Sequence, residues 1–260
     1  MHESERHRLI LSVLNERPMA TVRELVELTE SSEATVRRDI GALDRQRKLR
    51  RMRGGAEALE PPPQPGLAGR SFAVNKGVNV GRKRAIARRA VEMCADGDSI
   101  IINGGTTTFQ MVHYLASRSL QILTNSFPIA AHLLYHSRNT VIVPGGTVYR
   151  DQNIILSPFA NDGSRHFSAR RMFMGAQGIG PQGVTEADPL VIQAEEKLLG
   201  QAEDLVVLVD SSKFLRHSSL VLCGLDRVAT IITDDGLPEE ARALVEAAGV
   251  ELLVVGAAGA

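Results

Sequence analysis

Four prolines fall within five positions in the string EPPPQPG (60–66). Each proline ring fixes φ and removes a backbone donor, so the run fits neither a helix interior nor a central strand. It forms a stiff, extended connector instead. The chain of 260 residues must therefore build two separately packed parts. The pattern predicts a small domain over 1–59, a linker over 60–80 and a larger domain over 81–260. The larger part is long enough to bury a substantial core.

Overall charge is balanced at 30 basic against 30 acidic side chains, but the balance is uneven along the chain. Residues 33–53 hold eight Lys/Arg against three Asp/Glu, a net of +5, which points to a local anionic partner. The two cysteines, Cys94 and Cys223, lie far apart without metal-type spacing, which argues against a disulfide framework or a metal site. MHESERHRL is too charged for a signal peptide, and no apolar run nears the ~20 residues that span a bilayer. The expectation is a soluble cytoplasmic protein without a membrane partner.

Three helices suit the first 46 residues. Leu9, Ile10, Val13 and Leu14 give the first its apolar face. Thr21 caps a second at about 21–29, with Val22, Leu25 and Leu28 inward. Ser32 caps a third that runs to about Arg45 and buries Val36, Ile40 and Leu43. Its opposite face carries Ala34, Thr35, Arg38, Ala42 and Arg45, small residues interleaved with arginines. Small side chains let the backbone approach a groove floor, so Arg38 can reach a guanine edge while Arg37 suits a phosphate. KLRRMRGGAEAL (48–59) reads as a basic hairpin around Gly54-Gly55. The whole is a winged helix-turn-helix for double-stranded DNA, with Thr21, Ser32, Thr35, Arg37, Arg38, Lys48, Arg50, Arg51 and Arg53 as the DNA-facing set. The competing reading makes Arg37, Arg38 and Asp39 ordinary surface ion pairs.

After the connector, short apolar runs alternate with amphipathic stretches. Strands are expected at 98–102, 120–124, 140–143, 170–174, 205–209, 228–233 and 251–255. Helices are expected at 82–95, 106–117, 127–136, 188–201 and 237–247. This alternation predicts an α/β domain around a mainly parallel sheet. Ligands in such sheets collect beyond the carboxyl ends of the strands. Those ends carry Asn103-Gly104-Gly105-Thr106-Thr107-Thr108, Thr124-Asn125, Gly145-Gly146, Gly175 and Asp210-Ser211-Ser212-Lys213. The first N–H groups of the helix at 106 favour an anion, with Lys197 and Lys213 as counter-charges and Asp210 as acceptor for ligand hydroxyls. Neither Gly-Lys-Ser/Thr nor Gly-x-Gly-x-x-Gly follows a strand, so no nucleotide or dinucleotide cofactor is expected.

The string 31–59 resembles the signature of the DeoR family of bacterial transcriptional regulators, met here by Ser32, Thr35, Arg37, Arg38, Asp39, Leu49 and Gly54-Gly55-Ala56. Arg47 stands where that family usually has a turn glycine, and Arg53 where many members have histidine. The large domain is similar to the family's sensor domain, of the sugar-phosphate isomerase-like fold, at Asn103–Thr107, Thr124-Asn125, Gly145-Gly146, Lys197 and Asp210–Lys213. Asn103 replaces the usual acidic residue. Asn103, ILSP (155–158) and VDSSK (209–213) resemble the branch that regulates L-ascorbate utilisation, which implies an effector such as L-ascorbate 6-phosphate.

Two functions follow. One is a carbohydrate-operon repressor, a dimer or tetramer on operator DNA, modulated by a phosphorylated sugar or sugar acid. The other is a sugar-phosphate isomerase-type enzyme with a fused DNA reader, for which Glu186, Asp188, Glu195 and Asp210 offer acids and bases. Nothing in the sequence places two of these carboxylates together, which favours the sensor.

Overall fold

The computed structural model describes residues 2–16, 19–59, 72–159, 161–216 and 218–256. The proline string lies outside them. The chain separates into two units, Met1–Val78 and Asn79–Ala260.

The first unit contains α1 (Glu3–Glu16), β1 (Met19–Thr21), α2 (Val22–Thr29), α3 (Glu33–Arg45) and the hairpin β2 (Arg50–Met52)–β3 (Gly55–Glu57). The strands form an antiparallel sheet in the order β1-β3-β2. Ile10, Val13, Leu14, Leu25, Val36, Ile40, Leu43 and Leu49 close one core, as the helical spacing requires. Thr21 and Glu24 form a reciprocal capping box on α2, and Ser32 accepts from the Thr35 backbone N–H at 3.2 Å on α3. Each cap contributes about 1 kcal/mol. Part of the expected linker is helical: α4 (Phe72–Lys76) packs on α1.

Asp39 corrects the surface ion-pair reading. It is buried on α3 and accepts from Arg6 Nε at 2.6 Å and Nη2 at 3.2 Å, with His7 Nε2 at 3.3 Å. The carboxylate thus pins α1 to α3. Glu3 joins His7 and Asp39 within metal-ligand reach, but the Arg6 guanidinium already matches the charge.

Arg47 follows the end of α3 with φ 54°, a left-handed conformation that a side chain disfavours by about 1–2 kcal/mol. Glycine relieves that strain but loses more freedom on folding. Arg47→Gly is therefore expected to stabilise the first unit by about 0.5–1 kcal/mol, read as a raised denaturation midpoint with unchanged slope. A midpoint at or below that of the parent protein would refute it.

The second unit opens with α5 (Val80–Glu92) and builds a seven-stranded parallel sheet. Chain order runs β4 (Ser99–Ile102), α6 (Thr106–Phe109), α7 (Val112–Leu115), β5 (Gln121–Thr124), α8 (Phe127–His136) and β6 (Thr140–Ile142). A hairpin, β7 (Thr147–Tyr149)–β8 (Ile154–Leu156), then leads to β9 (Ala169–Met174). β10 (Gly178–Gly180), β11 (Gly183–Glu186), α9 (Pro189–Leu199), β12 (Ala202–Leu208), β13 (Leu220–Cys223), β14 (Thr230–Asp234), α10 (Glu239–Ala247) and β15 (Glu251–Val255) complete it. The sheet order is β15-β14-β12-β9-β4-β5-β6, so all seven expected strands are its members. Apolar runs such as Ile231, Ile232, Val206 and Val207 are buried because central parallel strands are covered on both faces. From β4 the chain winds one way, and from β9 the other, which makes the β4/β9 boundary a topological switch point.

One helix differs from expectation. The stretch 106–117 breaks into α6 and α7, because Gln110 and Met111 N–H groups bond back three residues, to Thr107 and Thr108. The Thr108 hydroxyl also bonds Asn103 O at 2.8 Å and Gly105 O at 3.0 Å, tightening the first turn. The sheet β10-β11-β13 and the β7–β8 hairpin were not expected; their strands are three or four residues long, and glycines recur in β10 and β11. Among the described residues no helix is long and apolar enough to cross a membrane.

Candidate nucleic-acid interface and effector site

On α3, Ala34 and Arg38 are exposed, with Thr35 and Ala42 half-buried beside them. Among the described residues the side chains of Arg38, Lys48, Arg51 and Arg53 make no hydrogen bond or ion pair. Arg37 bonds Glu33, with Nε at 2.9 Å, and Arg50 lies 3.4 Å from Glu57. These are exposed pairs worth well under 1 kcal/mol, which a phosphate displaces readily. Arg51 is placed by its backbone N–H, which donates to Asp44 Oδ1 at 2.9 Å and ties the wing to α3. A groove between α3 and the wing is lined by Val22, Arg37, Ile40, Asp44, Arg51 and Arg53. The side chain of Thr21 is engaged in its capping box and that of Ser32 in its cap, so both act first on helix geometry.

In the second unit, the strand ends meet at the switch point. Asn103 N–H donates to Phe173 O of β9 at 2.9 Å, and Gly104 N–H to Asn125 Oδ1 at 2.8 Å. Asn103 Nδ2 donates to Glu195 Oε1 of α9 at 2.6 Å. Gly104 has to be glycine: an added Cβ would sit 2.3 Å from the Ile154 side chain of the hairpin. Three buried atoms here have no partner, namely Asn103 Oδ1, Asn125 Nδ2 and Glu195 Oε2.

Glu195 and Glu186 are both buried and act on one another. Burial pushes the Glu186 carboxyl up to about 7 despite the nearby Lys213 ammonium. Burial, then the charge of Glu186, raises Glu195 well above the usual carboxylate range. The sequence offers these acids without a reason to pair them; the structure brings them together. Lys213 Nζ reaches Gln177 Oε1 at 3.4 Å. Lys83 of α5, which no sequence motif singled out, is buried, and burial lowers its ammonium to about 8 even with Asp210 near. Its only sequence signal is a lysine on the apolar side of α5.

Other expected residues serve the frame. Thr124 Oγ1 donates to Ile102 O at 2.6 Å and Thr108 Oγ1 is engaged as above, whereas the side chains of Thr106 and Thr107 are unengaged among the described residues. Gly146, at φ 156°, lies against Leu156 O in the hairpin, and Gly145 is exposed beside it. Lys197 is not brought into this group. It bonds Phe159 O at 2.6 Å and the Asp162 carboxylate. Burial alone would raise Asp162, but bonds from Lys197 and Ser164 outweigh it and hold the carboxyl well below its usual range. The hairpin is anchored by Ile155 N–H to Asn125 O at 2.7 Å and by Tyr149 Oη to Asp188 Oδ2 at 2.9 Å. It therefore runs across the rim from β5 to α9.

Residues 6–61 match the DeoR-like helix-turn-helix domain, and residues 78–235 match the DeoR C terminal sensor domain. The HTH-type transcriptional regulator UlaR of Shigella dysenteriae serotype 1 is 33% identical over 255 residues, covering 98% of this chain and all of that one. The regulator of the same name from Escherichia coli K12 shows the same identity and coverage. Among solved structures, ribose 5-phosphate isomerase A of Methanocaldococcus jannaschii aligns over 51% of this chain and 53% of its own, at 17% identity and a TM-score of 0.39. With both domains matched and a full-length relative at one-third identity, the chain belongs to the DeoR family of transcriptional regulators.

Proposed function

We propose that this regulator represses a carbohydrate-utilisation operon by binding its operator, and that a phosphorylated sugar or sugar acid sets the affinity. The sensing half is carried by one observation: Asn103 Oδ1, Asn125 Nδ2 and Glu195 Oε2 are buried at the switch point without protein partners. Each unmade bond costs about 1–3 kcal/mol, and ligand hydroxyls restore it, since a hydroxyl both donates and accepts. Lys213 and Lys83 face the anionic end, with the first N–H groups of α6 from Gly105 onward. A one-turn helix adds little dipole, so the lysines matter more than the sequence suggests. Asp210 accepts from a further hydroxyl.

The reading half places paired winged helices of a homo-oligomer on repeated half-sites. Arg38 and the small-residue face contact base edges; Arg37, Lys48, Arg50, Arg51 and Arg53 hold backbone phosphates. Arg38→Ala is expected to weaken operator binding by about 1–3 kcal/mol and random-sequence binding little. Arg51→Ala is expected to weaken both alike and reduce the salt slope by about one. Equal losses on random DNA from both variants would sink this division of roles.

The deciding experiment measures affinity for DNA from the gene's own upstream region with and without a panel of phosphates. L-ascorbate 6-phosphate comes first, on the similarity to regulators named UlaR and the motifs at Asn103, 155–158 and 209–213. A tenfold shift, about 1.4 kcal/mol of coupling, supports the sensor. The buried Glu186–Glu195 pair favours a second reading, acid–base isomerisation. Turnover of any panel compound by the intact chain would put that second reading first.

A further inference from the structure

The second unit begins at Asn79, directly after Val78 at the end of the first. Anything the sensor transmits along the chain passes through the first turn of α5. That turn is fastened to the strand ends that form the effector site. Asn79 precedes α5 in a left-handed conformation, φ 54°, and its side chain does not cap the helix. Its Nδ2 instead donates to Asp210 Oδ1 at 3.2 Å, across 131 residues of sequence. Arg82 Nη1 donates to Ser211 Oγ at 3.2 Å and lies 3.4 Å from Asp234 Oδ2. Lys83 is buried under the charges of Asp210 and Lys213. Three side chains within five residues thus end on β14 and the turn after β12.

Resting on the effector reading above, we propose that the Asn79–Asp210 hydrogen bond is the relay between the effector site and the DNA reader. Asp210 is buried and its Oδ1 already accepts from Ser212 N–H at 3.1 Å. The carboxylate holds Asn79 when no ligand is present and turns to a ligand hydroxyl when one binds, releasing the first turn of α5. The anionic end of the ligand draws Lys83 and Lys213 the same way, away from Asp210. Both changes act on the residues where the tether to the reader begins. A ligand shifts such an equilibrium only through groups it contacts differently in the two states, and Asp210 and Lys83 are such groups.

Asn79→Gly tests the relay without any ligand. Glycine accepts φ 54° without strain, and the substitution removes the side chain that carries the amide. The variant is expected to shift operator affinity at least fivefold, with the melting temperature of the second unit nearly unchanged. Asp210→Ala is expected to shift it in the same direction, and adding Asn79→Gly to Asp210→Ala to shift it no further, because the shared bond is already gone. A panel of L-ascorbate 6-phosphate, D-glucose 6-phosphate and inorganic phosphate then separates the failures. A compound that shifts the parent protein tenfold should shift Asn79→Gly less than twofold further. Operator affinity of Asn79→Gly within twofold of the parent, or single effects that multiply in the double variant, overturns the relay while leaving the effector reading intact. A parent protein that responds to nothing in the panel overturns the effector reading, and the relay with it.

Discussion

Replacing Gly55 by alanine is expected to abolish operator binding and to leave the melting of the 79–260 unit unchanged. Gly55 pairs with Thr21 across β1 and β3, and an added Cβ would lie 2.2 Å from Ala20 O and 3.1 Å from Thr21 Cα. Those are backbone atoms within a sheet, so no rotamer change relieves the contact. Either the strands separate, losing ladder bonds and the Val22 N–H bond to Gly54 O at 2.8 Å, or Thr21 shifts and its capping box opens. Overpacking of this kind costs about 3 kcal/mol or more. At roughly 0.05–0.15 kcal/mol per residue, a unit this small holds only several kcal/mol in reserve. Gly54 is the internal control. Its φ of 84° strains alanine by about 1–2 kcal/mol, but nothing lies within 4 Å of an added Cβ. Gly54→Ala should therefore weaken binding moderately. Operator affinity for Gly55→Ala within threefold of the parent would show that the strands absorb the extra methyl group.

The sensor unit is expected to melt higher at pH 5 than at pH 7.5, and Glu186→Gln to reduce that difference while the raised Glu195 carboxyl retains the rest. Burial raises Glu186 from 4.5 to about 7 in the folded chain. Below about pH 4.5 the group is protonated in both states and costs nothing. As pH rises toward 7 the unfolded chain ionises first, so stability falls through this window and levels off above it. The full loss is about 3 kcal/mol. Glutamine keeps an acceptor oxygen for the backbone N–H groups of Ala187 and Gln177 that bond Glu186, and adds no charge beside Glu195. At pH 7.5 it should melt about 5 °C or more above the parent. Asp162 works in the opposite sense, but only near the acid end, because its carboxyl is held below the usual range. A flat parent profile between pH 5 and 7.5, together with no gain in Glu186→Gln, would mean that water or a shifted Lys213 already neutralises the pair.

The same buried carboxyls bear on function. Glu195 is held by Asn103, and an amide beside a raised carboxyl adds no third negative charge. The unpartnered buried polar atoms fit the proposed effector site, because a ligand that binds only the folded state stabilises it.

Local pattern in the sequence determined much of this protein. Helical spacing identified Ile10, Val13, Val36, Ile40 and Leu43 as core, and Thr21 and Ser32 as caps, because caps and apolar faces depend on neighbours within one or two turns. Apolar runs ending in Asn, Gly or Asp located all seven strands of the sheet and hence the rim. Only the tertiary structure decided what the charged residues do. Asp39 reads as surface until Arg6 meets it across 33 positions, and Glu195 as one acid among several until Asn103 reaches it across 92. Lys197 reads as an effector ligand until Asp162 takes it, and Lys83 stands in no motif at all. The reason is physical: apolar burial follows periodicity along the chain, whereas a charge takes its meaning from the partner and the solvent that the fold brings to it.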